Sequence, residues 1–326
     1  MKRIFIFCLF LTMTGGLSLV AKYPANAAGD PSDMDYDAFD NIPLERVEVG
    51  GAVLRVAFAP TDLAVPRQKI LDWLKRSATA VGTYYGRFPV KVAQIYVIPE
   101  KGRGVGGGQA FGYRGPAIRI HAGVDSSVDV LNDDWRSVHE MIHLALPYMN
   151  ESHNWLSEGL ATYIESIARV QAGHLQPERI WLEFARDMPK GMPKDGDRGL
   201  DHTHTWGRTY WGGALFCLLA DVEIRKRTGN QFGLQDAMRA VINAGGKLSE
   251  RWPIAKVLKT ADSATGVTVL SELYEKMRAA PFAPDLAGLF RDLGIVPGQG
   301  SVTFNDSAPL AAIRIAITEP PSRANL

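Results

Sequence analysis

The chain has 326 residues, 46% of them hydrophobic, with 36 basic against 35 acidic side chains and two cysteines. That length and apolar content can bury a core in one domain or two lobes, and two cysteines exclude a fold held by a disulfide framework. The near-balanced charge, with no basic stripe, excludes a nucleic-acid partner.

Lys2 and Arg3 precede an apolar run from Ile4 to about Val20, and Ala25-Asn26-Ala27 puts small residues where a signal peptidase reads. Residues 1–27 are therefore expected to be a signal peptide whose cleavage leaves Ala28 first. A retained anchor is the alternative, disfavoured because Thr12, Thr14, Gly15 and Gly16 interrupt the run. Export to a bacterial periplasm or exterior follows, with no stable membrane span after cleavage. Cys8 would leave with the signal, and Cys217, inside the apolar run ALFCLLADV, is expected to be a packed thiol.

Residues 28–42, rich in Asp, Pro, Ser and Asn, predict a loose lead-in. An αβ lobe is expected over 43–126. It opens with a hairpin turning at Gly50-Gly51, followed by a helix from about Val65 to Tyr84 that buries Ile70, Leu71, Leu74 and Val81. Strands at Val92 to Ile98 and Ala117 to His121 flank a glycine-rich loop. Gly102-Arg103-Gly104-Val105-Gly106-Gly107 matches a G-x-G-x-x-G string, but it leads into a strand, and no suitably placed acidic residue follows. Dinucleotide binding is not expected from it. Two readings stay open, a flexible lip over a cleft and an ordinary wide hairpin loop. Gly107, Gly108 and Gln109 are the candidate cleft residues.

A mainly helical lobe is expected over 127–296, with an apolar extended or packed tail over 297–326, and no internal repeat is present. From Asp129 to Leu146, Val130, Leu131, Trp135, Val138, Met141, Ile142 and Leu146 recur at helical spacing, and Pro147 closes the segment. His139-Glu140-Met141-Ile142-His143 lies on this helix. Four residues turn through about 400° and rise about 6 Å, so His139 and His143 project from one face and can share a metal ion. Fourteen residues lie between His143 and Glu158, which sits in Trp155-Leu156-Ser157-Glu158-Gly159 on a second helix that Asn154 or Ser157 could cap.

Two imidazoles and a carboxylate at this spacing read as the ligands of one catalytic zinc ion. Zinc lowers the pKa of its bound water to roughly 7, and Glu140, next to the ligands, is placed to act as general base and acid. Two buried histidines beside a stray glutamate are the alternative. A metzincin would need glycine at position 146 and histidine at 149, where the chain has Leu146 and Met149, so the layout is that of a gluzincin. Glu165, seven residues past Glu158, faces the same way and is expected behind the ligands, accepting a ring N–H; a solvated surface charge is its alternative. His202 and His204 either line a subsite or are exposed on a polar loop, and His121, His153 and His174 are expected to be structural or exposed.

At WLSEGLATYIE the chain resembles the gluzincin (MA clan) aminopeptidase superfamily, whose HExxH is followed by a W-[LF]-x-E-G segment. Thr209-Tyr210-Trp211-Gly212-Gly213-Ala214-Leu215 and LADVEIRKRTGNQFGLQDAMRAV resemble the M61 glycyl aminopeptidase-like peptidases, relatives of the M1 aminopeptidase catalytic domain. Tyr84-Tyr85-Gly86-Arg87-Phe88-Pro89 and LFRDLGI extend the likeness over roughly residues 60 to 296. The resemblance implies an α+β fold with a thermolysin-like gluzincin core, one zinc ion and a peptide or protein substrate. It also implies that the Tyr210 phenol donates to the oxyanion.

Two positions depart from the family. Its glycine-rich edge strand carries an acidic residue that grips the substrate amine, whereas Gly106-Gly107-Gly108-Gln109-Ala110-Phe111-Gly112 has no carboxylate. Gly212 stands where the family usually has lysine. The large N-terminal β-domain and PDZ domain often attached to such peptidases are not discernible. A secreted or periplasmic zinc metallopeptidase is the leading expectation, with endopeptidase against aminopeptidase activity open. A non-catalytic peptide-binding protein on the same fold, or a zinc amidase acting on a cell-wall-type amide, are the alternatives.

Overall fold

The computed structural model describes residues 34–320. The expected signal segment with Cys8, lead-in residues 28–33 and the last residues, 321–326, lie outside the described residues. The rest of the expected loose lead-in is packed. Met34, Tyr36 and Phe39 bury against Ala57, Phe111 and Ala117 on the outer face of a sheet, through a short helix α1 (Ala38–Asn41). Three large apolar side chains outweigh the polar composition of their neighbours, and the Tyr36 hydroxyl donates to the Gly115 carbonyl at 2.8 Å.

The hairpin forms where Gly-Gly predicts it. Strands β1 (Glu45–Val49) and β2 (Ala52–Phe58) pair antiparallel, with Gly50 and Gly51 at φ 52° and 76°. Helix α2 (Arg67–Tyr85) crosses over the inner face, burying Ile70, Trp73, Leu74 and Val81, and ends on Gly86 in the left-handed region. It delivers the chain to β3 (Val92–Glu100), parallel to β2.

The glycine-rich stretch is largely strand rather than loop: β4 (Val105–Phe111) pairs antiparallel with β5 (Ala117–Gly123), itself parallel to β3. The pairing shifts at a bulge between Val105 and Gly107, and from Gly107 on the buried Ala110 and Phe111 hold the segment in register despite glycine's low strand preference. Strand order β1-β2-β3-β5-β4 leaves β4 on an edge. No helix starts at the G-x-G-x-x-G string.

The single helix expected over 129–146 is two. Asp134 adopts an extended conformation between α3 (Val128–Asp133) and α4 (Arg136–His143), and its carboxylate accepts the Ser137 N–H at 3.0 Å. Helix α5 (Asn154–Gln171) starts earlier than Glu158, after a 3₁₀ turn at Glu151–His153 whose cap is Asn150 rather than Asn154 or Ser157. Then come α6 (Pro177–Asp187), a π-helical turn at Gly207–Gly212 continuous with α7 (Gly213–Arg227), α8 (Leu234–Asn243), α9 (Ile254–Thr265), α10 (Val269–Met277) and α11 (Leu286–Asp292). The tail packs as a small hairpin (Ile295–Pro297 with Val302–Phe304) and α12 (Ala311–Thr318). One continuous apolar core runs from Val47 to Ile317, and Cys217 is buried in it. No described helix is long and apolar enough to cross a membrane.

Candidate metal centre and catalytic site

Helices α4 and α5 bring the sequence-predicted ligands together. His139 Nε2 lies 3.2 Å and His143 Nε2 lies 3.6 Å from Glu158 Oε2, and one donor atom from each residue falls within 4.8 Å of the others. All three side chains are sealed, at 1%, 1% and 0% exposure. Burial holds the His139 imidazole down to about 3, helped by Arg136, and that of His143 down to about 4. Both rings are therefore neutral near pH 7, the state in which imidazole donates a lone pair to a metal. His143 Nε2 has no hydrogen-bond partner although buried, which fits a position awaiting a ligand bond. The donor set fits a divalent ion such as zinc.

Sequence reasoning did not single out Ser157 for its contact with a ligand: its Oγ lies 3.1 Å from His143 Nδ1 and holds that ring in orientation. The spacing signal was available, because Ser157 precedes Glu158 on the same helix. Glu165, expected behind the ligands, is buried on α5. Its carboxylate accepts the Ser166 hydroxyl at 2.7 Å and lies 3.6 Å from Arg169. Desolvation pushes it up to about 7 against the pull of Arg169 and Ser166.

Glu140 is 1% exposed and lies directly under the edge strand. A Cβ placed on Gly108 would sit 2.5 Å from Glu140 Cγ and 3.0 Å from its Oε1, so only glycine lets β4 come this close to the carboxylate. Gln109 does not join it. Strand alternation turns it to the opposite face, where its Oε1 accepts from Arg119 Nη2 at 2.8 Å. His204 is exposed on the loop before the π turn and is not gathered with the ligands.

Tyr210 reaches the centre from the π-helical turn. Its ring stacks on His139 with centroids 6.3 Å apart and planes at 23°. Trp135 meets His139 edge-on at 5.5 Å, and Trp206 stacks on Tyr210 at 5.9 Å. A cavity of about 250 Å³ opens beside them, lined among others by Trp135, Thr162, Glu165, Trp206, Tyr210 and Trp211. Close backbone approach fixes the spacing of α5 and α7. A Cβ on Gly213 would lie 2.1 Å from the Trp155 carbonyl oxygen, and one on Gly159 2.2 Å from the Gly213 carbonyl carbon. Gly159 adjoins Glu158, so the contact that sets the helix crossing also sets the distance from ligand to phenol. Gly212, the position without a lysine, is filled by its surroundings: a Cβ there would be 3.1 Å from Leu200 Cδ2 and 3.2 Å from Arg208 Nη1.

The fold is similar to that of an aminopeptidase N family protein from Idiomarina loihiensis, at 14% identity and a TM-score of 0.61, covering 78% of this chain and 50% of that one. The chain shares an aminopeptidase N family fold. A second match, an M1 zinc metallopeptidase from Deinococcus radiodurans, has 17% identity and a TM-score of 0.47, covering 74% and 53%. The chain thus spans about half the length of these solved structures. No family model matches the sequence, and no curated protein matches it. At this identity the likeness is one of fold, and the mixed sheet followed by helices agrees with it.

Proposed function

We propose that the chain is an exported zinc metallopeptidase with a gluzincin catalytic core, thermolysin-like in its ligand layout. The observation that carries this reading is the buried convergence of His139, His143 and Glu158 with Glu140 pressed against β4, an edge strand of the sheet among the described residues. His139, His143 and Glu158 would hold one zinc ion, which supplies Lewis-acid polarisation and an activated water. A peptide substrate adds to the free edge of β4 as an extended strand, which presents its scissile carbonyl above Glu140. Glu140 takes the proton from the attacking water and returns it to the leaving amine. Tyr210, stacked on His139, donates its phenol hydrogen to the oxygen where negative charge develops. The cavity between Trp135 and Tyr210 receives a substrate side chain next to the scissile bond.

Gln109 turned toward Arg119, no carboxylate between positions 106 and 112, and a Glu100 carboxylate that lies against Gly106 but within 3.5 Å of His121 Nδ1 support cleavage that does not depend on a free N-terminus. The test is mass-spectrometric cleavage profiling of a peptide pool, half of it N-acetylated, with zinc restored and with zinc chelated. Zinc-dependent cuts in both halves are expected. Zinc uptake without any cut would instead support a peptide-binding module, and cuts only at free N-termini would support an aminopeptidase.

A further inference from the structure

Outside the metal centre, the described residues contain a nearly sealed ion pair two residues from Tyr210. Arg208 lies in the π-helical turn, and the Arg208 and Asp197 side chains are 4% and 2% exposed. Arg208 Nε lies 2.7 Å from Asp197 Oδ2 in an ion-pair contact, its Nη2 is 3.5 Å from Oδ1, and its Nη1 donates to the Gly191 carbonyl. Asp197 in turn accepts the Gly199 N–H at 2.8 Å. Two charges taken out of water this completely are costly unless they hold a particular geometry.

The geometry they hold is that of the turn bearing Tyr210. The 188–191 turn lies flush on the π turn, since a Cβ on Gly191 would come 2.2 Å from the Trp211 carbonyl carbon and one on Gly207 2.4 Å from the Lys190 carbonyl oxygen. Gly212, lacking a side chain, leaves room for the guanidinium between them. A π turn carries one more residue per hydrogen-bonded ring than an α-helix and does not persist without an external reason. Its register decides whether residue 210 faces His139 or is rotated off it.

We propose that Arg208 and Asp197 are positioning residues: their buried pair, anchored on the Gly191 carbonyl, fixes the π turn so that the Tyr210 phenol faces the metal centre. The reading of Tyr210 as the oxyanion donor underlies the kinetic consequence of this proposal, and the structural consequence stands without it.

The test compares wild type with Arg208→Met, Tyr210→Phe and the double variant, on a peptide that wild type cuts, with zinc content measured for each. Arg208→Met is expected to lower kcat about 10- to 100-fold, as a displacement of roughly 1 Å does at a catalytic group, with zinc content unchanged. KM is expected to stay within about twofold. In the Tyr210→Phe background the same change is expected to cost almost nothing more, because the phenol it positions is already gone. A crystal structure of Arg208→Met should show the Tyr210 ring off its stack on His139. An equal kcat loss in both backgrounds, an unchanged kcat, or a Tyr210 ring still in place overturns the proposal. Should Arg208→Met not fold, Arg208→Lys serves in the same comparison. Its ammonium still meets Asp197 but cannot also span to Gly191, so a smaller loss with the same non-additivity is expected. If wild type cuts nothing, the peptidase reading fails and the ring position alone decides the positioning role.

Discussion

At the scale of single residues, the site depends on contacts that a missing or added atom would break. Glycine at 108 is the sharpest case, because its absent side chain is the space in which the Glu140 carboxylate lies. A methyl group there would either push Glu140 off its position or lift β4 from α4. Overpacking of this kind costs about 1–3 kcal/mol in a core, and here the displaced group is the proposed proton carrier. Gly108→Ala is therefore expected to lower kcat by about 10²-fold with zinc still bound, while Gly107→Ala, whose added atom meets nothing within 4 Å, changes it little. Steady-state kinetics with metal analysis of the two variants checks this, and equal activities would refute it. Gly212 is informative in the same way. Its departure from the family has no meaning as a letter in a sequence, and acquires one only when the Arg208 guanidinium is found beside it.

At the scale of elements, the helix pair α4 and α5 buries two imidazoles that titrate far below their ordinary range. His139 is held down to about 3 and His143 to about 4 by burial, and His174, past the end of α5, to about 4 by burial with Arg76 and Arg169. In each case the unfolded chain takes up a proton near pH 6.5 that the fold refuses until the pH is much lower. Their contribution to stability is present above pH 6.5 and is lost as the pH falls toward 4. Glu165 runs the other way, because its carboxyl, raised to about 7, keeps a proton that the unfolded chain has released above about 4.5. Four lowered histidines, His153 included, against two raised carboxyls, Glu165 and Asp134, leave the histidines in control. The metal-free protein is expected to unfold at progressively lower denaturant concentration from pH 7 to pH 4. A midpoint that stays constant or rises would contradict this burial. Most of these elements were legible in the sequence: the Gly-Gly hairpin, α2 with its apolar stripe, and the helical placement of the His139–His143 pair and of Glu158. What was not legible arises from tertiary contact. Asp134 splits a helix whose periodicity is unbroken, because its carboxylate captures the Ser137 N–H. The glycine-rich stretch has no strand periodicity of its own; its likeness to the family's edge strand pointed there, and pairing with β5 forms it.

At the scale of the whole molecule, sheet and helices share one core, so the edge of β4 and the ligand helix keep a fixed relation across the line between the two expected lobes. The ligand set and Glu140 were named from spacing and motif, and Tyr210 from the family resemblance; the structure brings donor atoms of His139, His143 and Glu158 within 4.8 Å of one another and stacks the Tyr210 ring on His139. Gln109 was named within the glycine-rich stretch and His204 for its place before Tyr210, and strand alternation and loop exposure take them elsewhere. The ion pair behind Tyr210 left no trace in the sequence, since Arg208 and Asp197 belong to no motif and meet only through the fold.

The central claim is that Glu140 moves the proton at a zinc site built by His139, His143 and Glu158. Its most direct test is Glu140→Gln, which keeps the shape of the side chain and removes its basicity. Purified beside wild type and assayed on the same peptide pool, the variant is expected to hold close to one equivalent of zinc and to lose about 10²- to 10⁴-fold in kcat. Cleavage at the wild-type rate by zinc-loaded Glu140→Gln would contradict the account.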